Sequence, residues 1–355
     1  MTTTQPTPAE RAAALELPRG CTFTESDWRI LADYWHPVAF SHDVGTAPVA
    51  ARLLDVDLVV YRTTAGVVVA RDLCLHRGSQ LTRGRLEGDE IVCAYHGWRY
   101  GPEGRCTRIP SQPAARRISP KIRLVTYQAV ERYGLIWACL SGRPKRDLPD
   151  WPEAEDPGYR WLGLKPLDWA TSAARQVDNF LDVSHFSFVH AQTFGNASEP
   201  EIPEIPVRLT DYGLAYDFNF TANNPDASPM EGGRQLVWET SYYVTLPFAV
   251  RLWEAFPDKE PGSIHMVFNV AAPVSAKRTR AFFFVCRNFD FDVPAEEILE
   301  WEGRIMGEDQ VIVEGQRPEE LPLDLTEEYH VQADRMTIAY RRQLAELGLG
   351  ADYSA

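Results

Sequence analysis

Two short Cys/His pairs constrain the fold of this chain more than any other feature. They are Cys74-Leu75-His76-Arg77-Gly78 and Cys93-Ala94-Tyr95-His96-Gly97, with 16 residues between His76 and Cys93. Four ligand-type side chains at this spacing ask for two loops that meet at one point. The surrounding chain can supply them. From about Leu31 to Leu140 it runs in short β-type stretches broken by glycine: Leu53–Arg62, Gly66–Arg71, Glu90–Ala94, Ile122–Ala129 and Leu135–Leu140. Such stretches predict a small, mostly antiparallel β domain with both pairs in its loops.

The remainder of the 355 residues has a different texture. Residues 1–27 are polar and Pro-containing, with a short helix expected around Ala9–Leu17 and otherwise loosely held. Arg143–Pro157, rich in Pro and charge, predicts a linker. Residues 175–191 look helical, 205–290 return to β-type runs loaded with aromatics, and two helices are expected at about Ala295–Gly315 and Glu327–Leu347. The fold class expected is therefore α+β. A tail (1–28) precedes a β-rich domain (29–145) and a second domain (146–355) in which helices cover an antiparallel sheet.

Composition excludes several functions. A formal net charge of −14 disfavours nucleic acid or an anionic membrane as partner, since both need a basic face. No apolar run approaches membrane-spanning length, and the first 20 residues lack a charged segment followed by an apolar core. A cytoplasmic, soluble protein is expected. Six Cys in a chain this long do not make a disulfide scaffold. Cys21, Cys106, Cys139 and Cys286 read as small buried hydrophobes.

The two pairs have a specific chemical meaning. Cys thiolates suit iron–sulfur clusters, and replacing two of four Cys by His on one iron defines a Rieske [2Fe–2S] centre. Cys74 and Cys93 would hold one iron, His76 and His96 the other. Neutral imidazoles add no negative charge, so such a cluster has a higher potential than an all-Cys one. A zinc site usually shows C-x₂₋₄-C followed by H-x₃₋₅-H, a pattern these pairs do not follow.

A second constellation lies in D-N-F-L-D-V-S-H-F-S-F-V-H, residues 178–190. His185 and His190 are five apart, which on a regular helix sets their rings about 140° from each other. Both can face one metal only if the helix is distorted or ends between them. Taken alone, the pair reads better as two core histidines than as metal ligands. Asp182 alters the balance, because an acid in so apolar a run wants a partner, such as a ligand imidazole. Two His and one carboxylate form the facial triad of non-haem Fe(II) oxygenases. In Ile298–Gln316 the residues Ile298, Trp301, Ile305 and Ile312 mark an apolar stripe, and Asp309 falls within about 20° of it. Glu308 falls about 80° off and Glu314 nearly opposite, so both read as solvated charges. Asp309 is the third expected ligand.

With these residues in view, C-x-H-R-G … C-x-Y-H-G-W-x-Y-G resembles the cluster motif of the Rieske non-haem iron oxygenases. N-x-x-D-x-x-H-x₄-H is similar to their mononuclear-iron motif, and G-E-D-Q-V-I-V-E-G-Q-R-P to their late carboxylate region. The likeness covers about residues 29–347, with Leu75 and Ala94 standing where many relatives carry Pro. It implies that His185, His190 and Asp309 bind Fe(II). It also implies that Asp182 links this site to the cluster histidines of a neighbouring subunit in a head-to-tail homotrimer. Asn179 matches a position beside the iron. Within the family the chain looks most like the methylxanthine N-demethylases and the saxitoxin-type hydroxylases.

The activity implied is that of a terminal oxygenase component. It would use O₂ and electrons from NAD(P)H to demethylate or hydroxylate a small ring compound. The chain has no G-x-G-x-x-G after a strand and no C-x₄-C-x₂-C cluster motif, so a separate reductase, with or without a ferredoxin, is expected to supply the electrons. Two other readings stand beside it: a cis-dihydroxylating dioxygenase, and a Rieske electron carrier without catalysis. Of the remaining histidines, His36, His42 and His330 read as structural or surface groups, and His265 lies in a β run that could face a pocket.

Overall fold

The computed structural model describes residues 16–224, 233–257 and 261–351. The helix expected at Ala9–Leu17 lies almost wholly outside these. The chain divides into two compact units, Met1–Leu148 and Pro149–Ala355.

The first unit is built on two antiparallel sheets. A six-stranded one runs, in spatial order, His36–Phe40, Leu135–Cys139, Thr126–Arg132, Gly66–Arg71, Val56–Thr63 and Val49–Leu53. A four-stranded one runs Arg85–Glu87, Glu90–Val92, Arg99–Tyr100 and Cys106–Arg108. Tyr61, Leu81, Ile91, Tyr100 and Leu124 pack with Cys74 and Cys93 into a core beneath the Cys/His loops. The segment expected to be loose through residue 27 is in fact tied down from Thr22. Its backbone N–H and hydroxyl both reach Asp55 Oδ2, at 2.8 and 2.7 Å. Thr24 then caps the helix Glu25–Ala32, whose Trp28 is buried and donates to the Leu54 carbonyl at 2.8 Å.

The second unit carries an antiparallel sheet in the order Arg160–Gly163, Arg278–Arg287, Ile264–Ser275, Ala249–Ala255, Gln235–Thr245, Gly213–Asn223 and Arg208–Thr210. Leu167–Trp169 also pairs with Arg278–Arg287. The helix Ala173–Leu181 packs on the neighbouring strands Ile264–Ser275 and Arg278–Arg287, with Ala295–Val313 and Arg335–Glu346 against it. A buried ion pair fixes that helix: Arg341 donates to both carboxylate oxygens of Asp178, at 3.0 and 2.7 Å. The last expected helix starts later than residue 327, at Arg335, because Asp324 and Asp334 side chains take the backbone N–H groups of Thr326 and Val331 into local turns. Among the described residues no helix is long and apolar enough to cross a membrane.

Candidate metal centres and substrate chamber

The two Cys/His loops are the same turn built twice. In each, the glycine four residues after the cysteine returns its N–H to the cysteine carbonyl: Gly78 to Cys74 at 2.9 Å and Gly97 to Cys93 at 3.0 Å. Each cysteine N–H bonds five residues ahead, to Ser79 and Trp98. Both glycines have φ near +70°, which only glycine adopts without strain. The unequal Cys–His spacings therefore place one imidazole on each of two matched loops. The cysteines are buried and His96 is exposed, so the thiol end faces the core and the imidazole end faces outward. His76 and His96 turn their Nδ1 atoms toward each other at 3.1 Å, and Trp98 stacks on His76. Tyr100 Oη lies 3.2 Å from Cys74 Sγ and accepts the Leu75 N–H. Burial pushes the Cys74 thiol up, Tyr100 lowers it, and the neighbouring Cys93 adds to the rise. Two thiols and two facing imidazole nitrogens suit a two-iron cluster. Of the other cysteines, Cys106, Cys139 and Cys286 are buried as expected, while Cys21 is only partly so.

In the second unit, the run expected to be one helix over 175–191 breaks just before the histidines. Asp182 is extended, its Oδ1 accepts the Ser184 N–H at 2.8 Å, and Tyr216 Oη donates to the Leu181 carbonyl at 2.7 Å. A one-turn helix, Phe186–Val189, follows, with His185 at its start and His190 at its end. This is how residues five apart come to one side. His185 Nε2 and His190 Nε2 lie 3.2 Å from each other, and 3.2 and 3.3 Å from Asp309 Oδ1. Three donors mutually cis around an ion with bonds of about 2.1 Å would lie about 3.0 Å apart.

The protonation pattern also calls for a cation. His190 Nδ1 reaches Glu308 Oε2 at 2.9 Å and His185 Nδ1 faces Asp182 Oδ2 at 3.5 Å. A proton kept at Nδ1 would leave each Nε2 lone pair, once a cation replaces the proton there, aimed at the same spot as Asp309 Oδ1, a buried atom that makes no hydrogen bond. Burial pushes the Asp309 carboxyl up, but the facing His185 and His190 outweigh it and hold it at about 2. Burial likewise pulls His185 down, yet Asp182 and Asp309 carry it to about 9. The residues fit a mononuclear iron.

Two expectations need correction. Glu308 is not a solvated charge: its Oε2 takes both the His190 Nδ1 contact and the Thr193 hydroxyl, at 2.8 Å. An acceptor for a ligand imidazole was the signal that could have found it. Glu314 is engaged as well, accepting the Ala170 N–H at 2.8 Å. Ile312 is half-exposed, and the buried stripe instead includes Glu302, Met306 and Val313. Asn179 sits half-buried on the last turn of Ala173–Leu181, its side chain without a hydrogen-bond partner among the described residues.

A cavity opens beside the triad. Phe180, Phe186, Phe194, Trp238, Tyr242 and Trp301 line it, with His185, His190 and Asp309 in its wall. Glu254, His265 and Glu302 line it too, so His265 does face a pocket.

Two family models match, the Rieske [2Fe-2S] domain over residues 34–128 and the vanillate O-demethylase oxygenase C-terminal domain over residues 169–349. The chain belongs to the Rieske oxygenases. It is 32% identical to methylxanthine N1-demethylase NdmA of Pseudomonas putida over 326 residues, 89% of each chain. It is 29% identical to methylxanthine N3-demethylase NdmB of the same organism, over 92% of each. The structure of NdmA with caffeine superposes with a TM-score of 0.81, covering 92% of this chain and 94% of that one. The protein is thus an O₂-incorporating oxidoreductase that uses a Rieske [2Fe–2S] cluster and a mononuclear iron, with electrons that originate in NAD(P)H. Several relatives are named as subunits or components of multicomponent oxygenase systems.

Proposed function

We propose that this chain is the terminal oxygenase of a monooxygenase system that removes a methyl group from a small, nitrogen-containing ring compound. The observation that carries the reading is the aromatic chamber set directly against the two histidines and the aspartate. Flat rings are held there by stacking and edge contacts, and the walls exclude water from the reacting carbon. Cys74, Cys93, His76 and His96 would hold the cluster; His185, His190 and Asp309 would hold the iron. When bound, the two centres supply stored electrons and oxygen activation beside the substrate.

The protein's own groups do the positioning. Glu308 fixes the His190 ring through Nδ1 and Thr193 in turn fixes Glu308. Asp182 orients His185 from the far side and would carry the electronic link to a cluster, with Asn179 beside it. Oxidation of an N-methyl carbon consumes O₂, two electrons and two protons. It yields water and a hydroxymethyl amine, which separates into the amine and formaldehyde.

The electrons would come from a separate reductase, with or without a ferredoxin, and the working assembly would be a head-to-tail homotrimer in the cytoplasm. Likeness to two methylxanthine demethylases over almost their whole length supports N-demethylation. The test pairs the iron-loaded protein with a promiscuous reductase and NADH against N-methyl, O-methyl and unmethylated ring compounds. Formaldehyde matching oxygen uptake on an N-methyl compound is the expected result. Coupled uptake giving a hydroxylated product without formaldehyde would make it a hydroxylase, and a cis-diol a dioxygenase.

A further inference from the structure

The chamber has a polar wall that the chemistry at the triad does not use. Glu254, His265 and Arg287 stand opposite one another on three adjacent strands, so their side chains share one face of the sheet. All three are nearly fully buried, at 4%, 2% and 1% exposure. Glu302 comes down on them from the helix Ala295–Val313, its Oε1 at 3.3 Å from His265 Nε2. Arg287 gives one N–H to the Asp290 carbonyl. Glu254 is left over. Its carboxylate is 3.9 Å from His265 Nε2, too far for a hydrogen bond, and it has no other partner among the described residues.

A buried carboxyl group without a donor is costly to keep, and this one lines the cavity beside Trp238 and Tyr242. Burial pushes it up to about 8, with His265 pulling the other way and Glu302 adding to the rise. A positive ligand group would reverse that, since an opposite charge at hydrogen-bond distance favours the ionised form. The neighbouring aromatic faces attract the same kind of group.

We propose that Glu254 is a specificity-determining residue. Its carboxyl group accepts an N–H from the substrate and so selects ring compounds bearing a protonated amine, amidine or guanidine nitrogen over neutral isosteres. The inference rests on the chamber being the substrate site, and it names the class of substrate. Glu302, already satisfied by His265, steadies the wall and does not make the choice.

Binding can be measured without turnover, on the iron-loaded protein under anaerobic conditions. The probes are benzamidinium and its neutral isostere acetophenone. The wild-type protein is expected to bind benzamidinium at least tenfold more tightly. Glu254→Gln should cut that preference several-fold, and Glu254→Leu should abolish it while acetophenone stays within twofold. His265 Nδ1 and Arg287 Nε on this wall also lack a hydrogen-bond partner among the described residues. The Glu254 carboxylate makes no hydrogen bond among them, so Leu takes none from a neighbour, and circular dichroism checks the fold. Equal binding of the two probes by the wild type, including no measurable binding of benzamidinium, overturns the proposal. So does an unchanged preference in Glu254→Leu. Failure of the oxygenase reading would show separately, as tightly bound cations that never drive oxygen uptake with a reductase present.

Discussion

Glu308 holds the Nδ1 side of His190 while Nε2 faces the centre of the triad. Removing that acceptor frees the ring to change tautomer and rotate, and partners of this kind are worth about 10–100-fold in metal affinity. Glu308→Ala is therefore expected to weaken iron binding by about that factor, with Glu308→Gln closer to wild type, as read by iron retained against a chelator. Azimuth alone sets Glu308 about 80° off the apolar stripe and so outside, because azimuth takes no account of side-chain length. His36 shows the opposite case. The sequence leaves it a structural or surface group, and the structure makes it structural: the ring is buried, with Nε2 3.0 Å from the Leu31 carbonyl. Burial depresses it to about 4 from 6.5, with the Leu31 contact opposing. A depressed folded pKa means the neutral form is favoured by folding. The stabilisation is fully present above pH 6.5 and is lost as pH falls through about 4. The shift corresponds to roughly 3 kcal/mol. Melting temperature should fall across that window, and His36→Gln, which keeps a donor for Leu31, should flatten the fall.

At the scale of elements, the one-turn helix Phe186–Val189 decides whether the site exists. Its two flanking histidines were legible as candidate ligands, and the need for a break was legible too. The position of the break was not. The Leu181 carbonyl is taken by Tyr216, 35 residues further along the chain, and no local pattern reports such a partner. The helix is also held from below by Gly195. A Cβ added there would meet the Phe186 carbonyl oxygen at 2.3 Å and the His190 carbonyl carbon at 2.9 Å. Both are backbone atoms and cannot swing aside. Gly195→Ala is expected to push the helix off its seat and lower iron occupancy at least several-fold. The visible absorbance of the [2Fe–2S] cluster, held in the other unit, should stay unchanged. Loss of both centres together would mean general unfolding instead. The matched glycine turns around the cluster were easier to read, because Cys, His and Gly sit within five residues of one another in each loop.

Across the whole molecule, the sequence pointed to two units, and the division at Leu148/Pro149 falls inside the Pro- and charge-rich stretch Arg143–Pro157. Asp309, over 100 residues from the histidines, could be singled out as a candidate ligand because it is an acid on a buried helical face. The Glu254–His265–Glu302 wall could not, since it is assembled by strand register and a helix crossing. An enzyme that needs both centres makes a prediction neither unit makes alone. Asp182 touches His185 at 3.5 Å, yet about a third of its side chain is exposed, so it faces both the iron site and the surface. A group so placed can pass an electron or a proton inward from a cluster that docks outside. Asp182→Ala is expected to retain three irons per two sulfides and a cluster that the reductase reduces normally. Reoxidation of that cluster in a single turnover with substrate and O₂ should slow by at least 100-fold. Because Asp182 also orients His185, iron content must be measured in the same preparation, and Asp182→Asn should keep the ring in place. Reoxidation within twofold of wild type at full iron content would remove Asp182 from the path between the centres.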